Sequence, residues 1–200
     1  ITSPAGTADT MEVLAPVDLD ISSMRKVVEQ ENGCLVWGGS VSLSPADDLL
    51  IRVEKALDLD SEGQLVASVL SKKIAAGSSH VLIDIPVGPT AKIRSLEMVE
   101  ELSRHLEKTG SAMGIAVRVH TSDGTQPVGR GIGPALEARD LIAVLKNDIT
   151  APQDLKERAL DLAGYTLEFS PEVKIGQGRK IAENILNSGK AWSKFQAICE

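Results

Sequence analysis

Aromatic side chains are scarce in this 200-residue chain: phenylalanine, tryptophan and tyrosine together make up only 2% of it. Hydrophobic residues as a whole reach 42%, so leucine, isoleucine, valine and alanine must fill the interior. A chain of this length can bury a full globular core, either as one large domain or as one domain plus a fragment of another.

Positive charge is also in short supply. The chain has 21 lysines and arginines against 28 aspartates and glutamates, which gives a formal charge of −7. Nucleic acids and anionic membranes both favour a cationic surface, so this balance argues against either of them as a partner. A small anionic substrate remains compatible, but it needs local donors to overcome the unfavourable overall field.

Metal ligands, disulfides and membrane spans are not indicated. Cys34 and Cys199 have no metal-ligand spacing, and two cysteines do not suggest a disulfide scaffold. The histidines at positions 80, 105 and 120 are scattered, and we expect them at the surface or at strand ends. No apolar stretch is long enough to span a bilayer, and no signal peptide is recognisable. We therefore expect a soluble, cytoplasmic protein with reduced thiols and no metal site.

The order of apolar patterns predicts an α/β fold. Two short β-branched runs, 79–87 and 114–121, flank a segment of helical spacing at 95–110, whose Gly110 has the position of a helix stop. Strand, helix and strand at this spacing predict a βαβ unit with parallel pairing. Residues 33–40 are a further strand candidate and follow a helix-like pattern that begins at Ile21. Three more helices are predicted downstream, over residues 133–147, 151–164 and 178–189.

Residues 44–77 do not fit this alternation, because they hold two helical patterns joined near Asp60. Ser61 and the glutamine three positions later make a capping box, so the second helix is predicted to begin at Ser61. Because that pair already caps the helix, the carboxylate of Asp60 is not needed as a cap. A polar stripe on the helix is either solvated surface or the wall of a cleft, and the sequence alone favours solvated surface. The stripe consists of Gln64, Ser68 and Lys72.

The opening residues, ITSPAGTAD, place hydroxyl side chains around Pro4 and Gly6. Hydroxyls and exposed amides in such a loop can converge on an anion. The alternative is an ordinary turn that caps the following helix, which composition alone favours. Since the chain opens inside such a loop without a methionine, we expect it to come from a longer protein.

Four motifs in this chain carry a resemblance to a known family. SPAGTAD, LVASVLSKKIAAG, VLIDIPVG and GTQPVGRGIGPALEAR occur in this order and spacing in the thymidine and pyrimidine-nucleoside phosphorylases. SPAGTADTMEVLAPV and VWGGSVSLSPADD resemble their archaeal relatives, the AMP phosphorylases. The resemblance covers essentially all 200 residues.

The resemblance implies a domain organisation. Residues 1–43 and 78–200 would form most of an α/β phosphorylase domain with a mainly parallel sheet flanked by helices. Residues 44–77 would belong to a separate small helical domain. The family's enzymes are longer, so N-terminal and C-terminal parts would be absent, among them a glycine-rich phosphate segment upstream. This fragment alone is therefore expected to be inactive, and the full-length protein is expected to be a homo-oligomer.

The reaction that the resemblance implies is phosphorolysis of AMP, or of a related nucleoside 5′-monophosphate, to free base and ribose 1,5-bisphosphate. Inorganic phosphate is then a co-substrate, and no cofactor is needed. The alternative is a thymidine or pyrimidine-nucleoside phosphorylase, whose substrate lacks the 5′-phosphate. A non-catalytic nucleotide-binding module of the same fold ranks last, because the acid and the hydroxyls that it would have lost are present.

The resemblance also implies roles for individual residues. Asp60 falls at the position of the general acid that protonates the departing base. Ser68 falls at a base-binding position. The substrate's phosphoryl groups would be bound by Ile1, through its backbone, and by Thr2, Ser3 and Thr7.

Lys92 follows the strand 79–87 at its carboxyl end, where α/β sheets bind ligands. Its point charge suits a 5′-phosphate, although without the resemblance it would be an ordinary exposed lysine on a loop. The glycine-rich segment 124–134 is interpreted as a tight loop before the helix at Pro134, with no ligand assigned to it.

Overall fold

The computed structural model describes residues 6–39 and 62–200. By their contacts they fall into two units: unit 1 holds the described residues of Ile1–Val41 and Gln126–Glu200, and unit 2 holds those of Ser42–Thr125. The described residues form eight helices and two strands, so the predicted mixed α/β class is confirmed. In chain order these elements are α1 (Thr7–Glu12), α2 (Ile21–Glu31), α3 (Glu62–Ala75), β1 (His80–Val87), α4 (Leu96–Ala112), β2 (Ala116–Asp123), α5 (Pro134–Leu145), α6 (Gln153–Leu167), α7 (Gly178–Asn187) and α8 (Lys190–Cys199).

Unit 2 is built on the predicted βαβ arrangement. β1 and β2 pair in parallel, in a register that runs from His80 opposite Ala116 to Val87 opposite Asp123. The crossover is α4, which begins after Ser95, whose hydroxyl accepts from the backbone N–H of Met98 at 3.3 Å. Both strands start within two residues of their predicted positions.

The core of unit 2 lies between the sheet and two helices. Alternate residues of β1 point into it, and the apolar faces of α3 and α4 cover them. The apolar stripe of α3 therefore folds back onto the sheet. The buried residues of the unit 2 core are Val66, Leu70, Val81, Ile85, Ile93, Val99, Leu102, Leu106 and Ile115.

The sequence predicted that α4 stops at Gly110, but the helix runs on to Ala112. A Cβ atom at Gly110 would overlap Cγ2 of Val117 on β2, so this glycine lets helix and strand approach closely. The chain reverses at Gly114 instead, where φ is +80°. Gly110 thus serves the packing of α4 on β2, whereas Gly114 serves the turn after α4.

The strand predicted at 33–40 is absent from residues 33–39, which is a correction to the sequence interpretation. α2 ends at Asn32 in a left-handed conformation with φ of 58°, which turns the chain. The backbone N–H of Trp37 donates to the carbonyl of Val17 at 2.8 Å, in place of the ladder of bonds that makes a strand.

Unit 1 is helical, and its predicted helices are found. α5 starts with Pro134, and α6 and α7 lie within a few residues of the predicted ranges. α8 was not predicted; Gly189, at φ of 75°, separates it from α7. Leu160, Ala182 and Leu186 form a small core between α6 and α7.

The assignment of residues 44–77 to a separate helical domain stays a prediction. The first helical pattern, Asp60 and the predicted cap Ser61 lie outside the described residues. α3 itself packs in the core of unit 2. Among the described helices, none combines the length and the apolar character that a membrane crossing requires.

Candidate functional site

Three of the seven predicted site residues lie in the described part of the chain. Thr7 belongs to unit 1, and Ser68 and Lys92 belong to unit 2. The other four lie outside the described residues, and their roles stay predictions. These four are Ile1, Thr2, Ser3 and Asp60.

Thr7 is the first residue of α1 and is exposed. The helix begins after Gly6, whose backbone N–H donates to a carboxylate oxygen of Asp9 at 3.1 Å. The helix is tied to α5, because Oγ1 of the buried Thr10 donates to Oε2 of Glu137 at 3.5 Å. Thr7 therefore stands at the accessible start of an anchored helix.

Lys92 is carried by a short, tightly closed loop after β1. The backbone N–H of Gly88 donates to the carbonyl of Ile93 at 3.2 Å, and that of Ala91 donates to the carbonyl of Gly88 at 3.0 Å. Ala91 and Ile93 are buried, whereas Lys92 is exposed. The loop thus fixes the Lys92 backbone at the carboxyl end of β1, as the sequence predicted.

The carboxyl ends of the two strands approach each other through glycines. A Cβ atom at Gly88, just after β1, would lie 2.5 Å from the carbonyl oxygen of Gly124, just after β2. Neither position accepts a side chain without movement. The two chain segments that leave the sheet are therefore packed backbone against backbone, at the end of the sheet where parallel sheets usually bind ligands.

A pocket of about 240 Å³ lies beside Lys92, between α3 and α4. Its walls are apolar side chains from both helices and from the loop after β1, and its charged side chains are two carboxylates and one ammonium. It can therefore offer apolar contact, hydrogen-bond acceptors and one positive charge. The lining residues are Glu62, Leu65, Lys92, Ile93, Met98, Glu101 and Leu102.

Ser68 lies on α3 one turn beyond Leu65, which lines this pocket. The structure thus places Ser68 on the helix that forms one wall of the Lys92 pocket. Gln64, Ser68 and Lys72 are all half-buried. The stripe is therefore partly covered, and its interpretation as solvated surface stays a prediction.

Sequence reasoning missed three polar residues at the pocket. Glu62 and Glu101 line it, and Nδ1–H of His105 donates to Oε1 of Glu62 at 2.6 Å. The spacing of Glu101 and His105, one helical turn apart, was a usable signal for a shared face. The partner Glu62 is 43 residues away in sequence, and no local pattern identifies it.

The glycine-rich loop 124–134 has its amides occupied by the chain's own carboxylates. Oδ2 of the buried Asp140 accepts from the N–H groups of Arg130 and Gly131, both at 2.7 Å. Oδ2 of Asp154 accepts from Gly129 at 3.0 Å. An anion at this loop would have to displace a carboxylate from those amides.

Among the described residues, no group of three or more His, Cys, Asp and Glu side chains is arranged to hold a metal ion.

The chain is similar along its whole length to bacterial proteins. It is 66% identical over 200 residues to "Putative thymidine phosphorylase 1" of Acidovorax sp. (strain JS42) and to "Putative thymidine phosphorylase" of Legionella pneumophila (strain Corby). It is 60% identical over 199 residues to the protein of the same name from Parvibaculum lavamentivorans (strain DS-1 / DSM 13023 / NCIMB 13966). No protein-family model matches the chain.

These similarities cover 100% of this chain but only 39% of each relative, so the chain spans about two fifths of the length of those proteins. The relatives are bacterial, and their names mention thymidine and not AMP. The predicted archaeal affinity and the predicted preference for AMP therefore stay predictions.

Proposed function

We propose that this chain carries substrate-binding residues of a nucleoside phosphorylase, a pentosyltransferase that uses phosphate to cleave the bond between a base and its sugar. The observation that carries the proposal is the pocket near the carboxyl end of β1, with α3 as one wall and Lys92 in its lining. The names of the similar proteins indicate which chemistry such a pocket would serve, with thymidine as the first substrate to consider.

The chemistry would proceed through a sugar with oxocarbenium character, between the incoming phosphate and the departing base. Hydroxyls and amides at Ile1, Thr2, Ser3 and Thr7 would hold phosphoryl groups by hydrogen bonds. Asp60 would give a proton to the base, which leaves poorly as an anion. Ser68 would contact the base from α3.

AMP is the second candidate substrate, and Lys92 is the observation that favours it. An ammonium that lines the pocket and stands on a fixed backbone can pair with a 5′-phosphate. Glu62 and Glu101 weaken this interpretation, because two carboxylates at the same pocket oppose an approaching dianion. This charge balance favours the uncharged nucleoside as the first candidate.

The proposal is tested by offering phosphate with thymidine, uridine, adenosine, AMP, CMP and UMP to the complete natural polypeptide. Free base is measured by chromatography, with a phosphate-free reaction as the control. We expect phosphate-dependent release of base from at least one nucleoside or nucleotide. Release that does not need phosphate would indicate a hydrolase, and no release from any of the six would refute the proposal.

A further inference from the structure

The two strands of unit 2 have a second face, opposite to the core beneath α3 and α4. Side chains alternate along a strand, and the residues that enter or contact the core are odd-numbered, such as Val81 and Ile85 of β1 and Val117 of β2. The even-numbered side chains therefore point to the opposite face, which we call the outer face. Its central residues are all half-buried: Leu82, Asp84, Pro86, Arg118, His120 and Ser122.

Two polar atoms on the outer face are buried without a hydrogen-bond partner in the part of the chain that the structure describes. They are Oδ1 of Asp84 and Oγ of Ser122. The two residues lie on neighbouring strands, since Asp84 is opposite His120 and Ser122 follows two positions later. Buried polar atoms are nearly always paired, and a buried carboxylate without a partner is costly. The described residues therefore leave the outer face incomplete.

Architecture, chain length and charge indicate what this face contacts. Parallel sheets in proteins are usually covered on both faces, so a second layer is expected on the outer face. The chain spans only 39% of the length of its relatives, so most of such a protein lies outside these 200 residues. These residues have a formal charge of −7, which favours positive groups on whatever packs against them. A cationic donor also satisfies a buried carboxylate better than a neutral one.

We propose that the outer face around Asp84 is an interaction surface that receives an arginine or lysine side chain from the part of the longer polypeptide outside these 200 residues. The cation pairs with the carboxylate of Asp84. The segment that carries it forms the second layer on the sheet and supplies a hydrogen-bond partner for the hydroxyl of Ser122. The assignment rests on the two buried polar atoms and not on the proposed reaction.

The first test compares melting temperatures of the complete natural polypeptide with and without the charge at position 84. Asp84→Asn keeps the shape of the side chain but removes its charge, which leaves the incoming cation buried and unpaired. We expect it to lower the melting temperature by roughly 3–8 °C. Glu100→Gln changes an exposed carboxylate of α4 and is expected to have no effect. An unchanged or raised melting temperature in Asp84→Asn would overturn the proposal.

The same variants in the 200-residue chain locate the partner. The cation is absent from this chain, so Asp84→Asn removes an unpaired buried charge and is expected to leave the melting temperature unchanged or to raise it. A loss as large as in the complete polypeptide would place the partner within the 200 residues and contradict the proposal. If Asp84→Asn does not fold, Ser122→Ala takes its place, with an expected loss of roughly 1–3 °C in the complete polypeptide and none in the shorter chain. Equal losses in both would again contradict the proposal.

Two comparisons within the complete polypeptide separate the cation from other occupants, and they decide even if the shorter chain does not fold. Asp84→Asn can still accept a hydrogen bond from a neutral group, whereas Asp84→Ala cannot. A loss of stability in Asp84→Ala without one in Asp84→Asn would identify a neutral donor and refute the cation. Light scattering gives the oligomeric state. If Asp84→Asn shifts it toward the monomer, the cation belongs to a second copy of the chain, and the proposal is wrong.

Discussion

Lys92 is positioned by the backbone around it. Its neighbours Ala91 and Ile93 are buried, and two backbone hydrogen bonds close the loop from Gly88. A side chain on such a loop starts from a fixed Cα position, so less conformational entropy is lost when a ligand orders it. The position of Lys92 could be predicted from sequence because it depends only on where the preceding strand ends.

Replacing Lys92 by alanine separates the two candidate substrates. If Lys92 binds a 5′-phosphate, Lys92→Ala is expected to weaken the interaction of the enzyme with AMP by about 1.5–3 kcal/mol, as for a lost hydrogen bond to a charged group. Activity on adenosine, which has no phosphate, changes little. The measurement is kcat/KM for both substrates, with Lys108→Ala as a matched exposed lysine. Equal losses on AMP and adenosine would instead indicate structural damage.

Asp60 allows a prediction about catalysis that rests on sequence and resemblance, since it lies outside the described residues. Asp60→Asn is expected to lower turnover by roughly two or more orders of magnitude, the usual contribution of a positioned acid. The melting temperature should barely change if Ser61 is the cap of α3. Full activity together with a clear loss of stability would mean that Asp60 is only a helix cap.

At the scale of elements, local patterns located both strands and most helices but assigned one glycine wrongly. Gly110 has the position of a stop signal, yet it serves the contact between α4 and Val117 of β2. That contact depends on how closely the helix crosses the sheet, which no local pattern contains. For the same reason Glu62 and His105 could not be paired in advance, because they meet only when α3 packs on α4.

The sign of a stability change identifies the role of Gly110. In an open helix position, Gly→Ala stabilises a protein by roughly 0.4–1 kcal/mol. At Gly110 the added methyl group meets Val117, so Gly110→Ala is expected to destabilise unit 2 by about 1–3 kcal/mol. Denaturant unfolding measures the difference, with the exposed neighbour substitution Ser111→Ala as control. Gly110→Ala/Val117→Ala should recover part of the loss, and a stabilised single variant would contradict the close contact.

The cap of α2 gives a pH dependence. Oδ1 of Asp20 accepts from the backbone N–H of Ser23 at 2.7 Å, and the hydrogen bonds from Ser23 lower the pKa of Asp20 below its ordinary 3.8. A depressed pKa in the folded state stabilises the protein above the ordinary pKa, and this contribution is lost as the pH falls through the depressed value. Asp20→Ala should therefore lower the melting temperature at pH 7, by a margin that shrinks below pH 3.8.

Circular dichroism melts of wild type and Asp20→Ala across this pH range test the cap. Asp18→Ala, at an exposed carboxylate two residues earlier, is the control. Asp20→Asn keeps an acceptor that does not titrate, so it should remove the pH dependence and not the cap. A margin between wild type and Asp20→Ala that stays constant down to the lowest pH would show that the carboxylate does not stabilise α2.

At the scale of the whole molecule, the predicted site residues are distributed over both units. Thr7 lies in unit 1, whereas Ser68 and Lys92 lie in unit 2, and each unit has its own apolar core. The sequence predicted the βαβ centre of unit 2, because the spacing of apolar residues differs clearly between its strands and its helix. It could not predict the boundaries of the units, because these depend on contacts between distant segments such as 6–39 and 126–200.

The 200-residue chain, expressed alone, is expected to fold without catalysing phosphorolysis. Folding is expected because the core of unit 2 is contiguous and the helices of unit 1 pack on each other. Catalysis requires phosphate-binding and base-binding groups fixed to a fraction of an ångström, and the chain spans only 39% of the length of its relatives. A cooperative melt followed by base release from thymidine and AMP with phosphate, alongside the complete natural polypeptide, measures both properties. Base release at a comparable rate from both proteins would mean that these 200 residues hold the whole catalytic site.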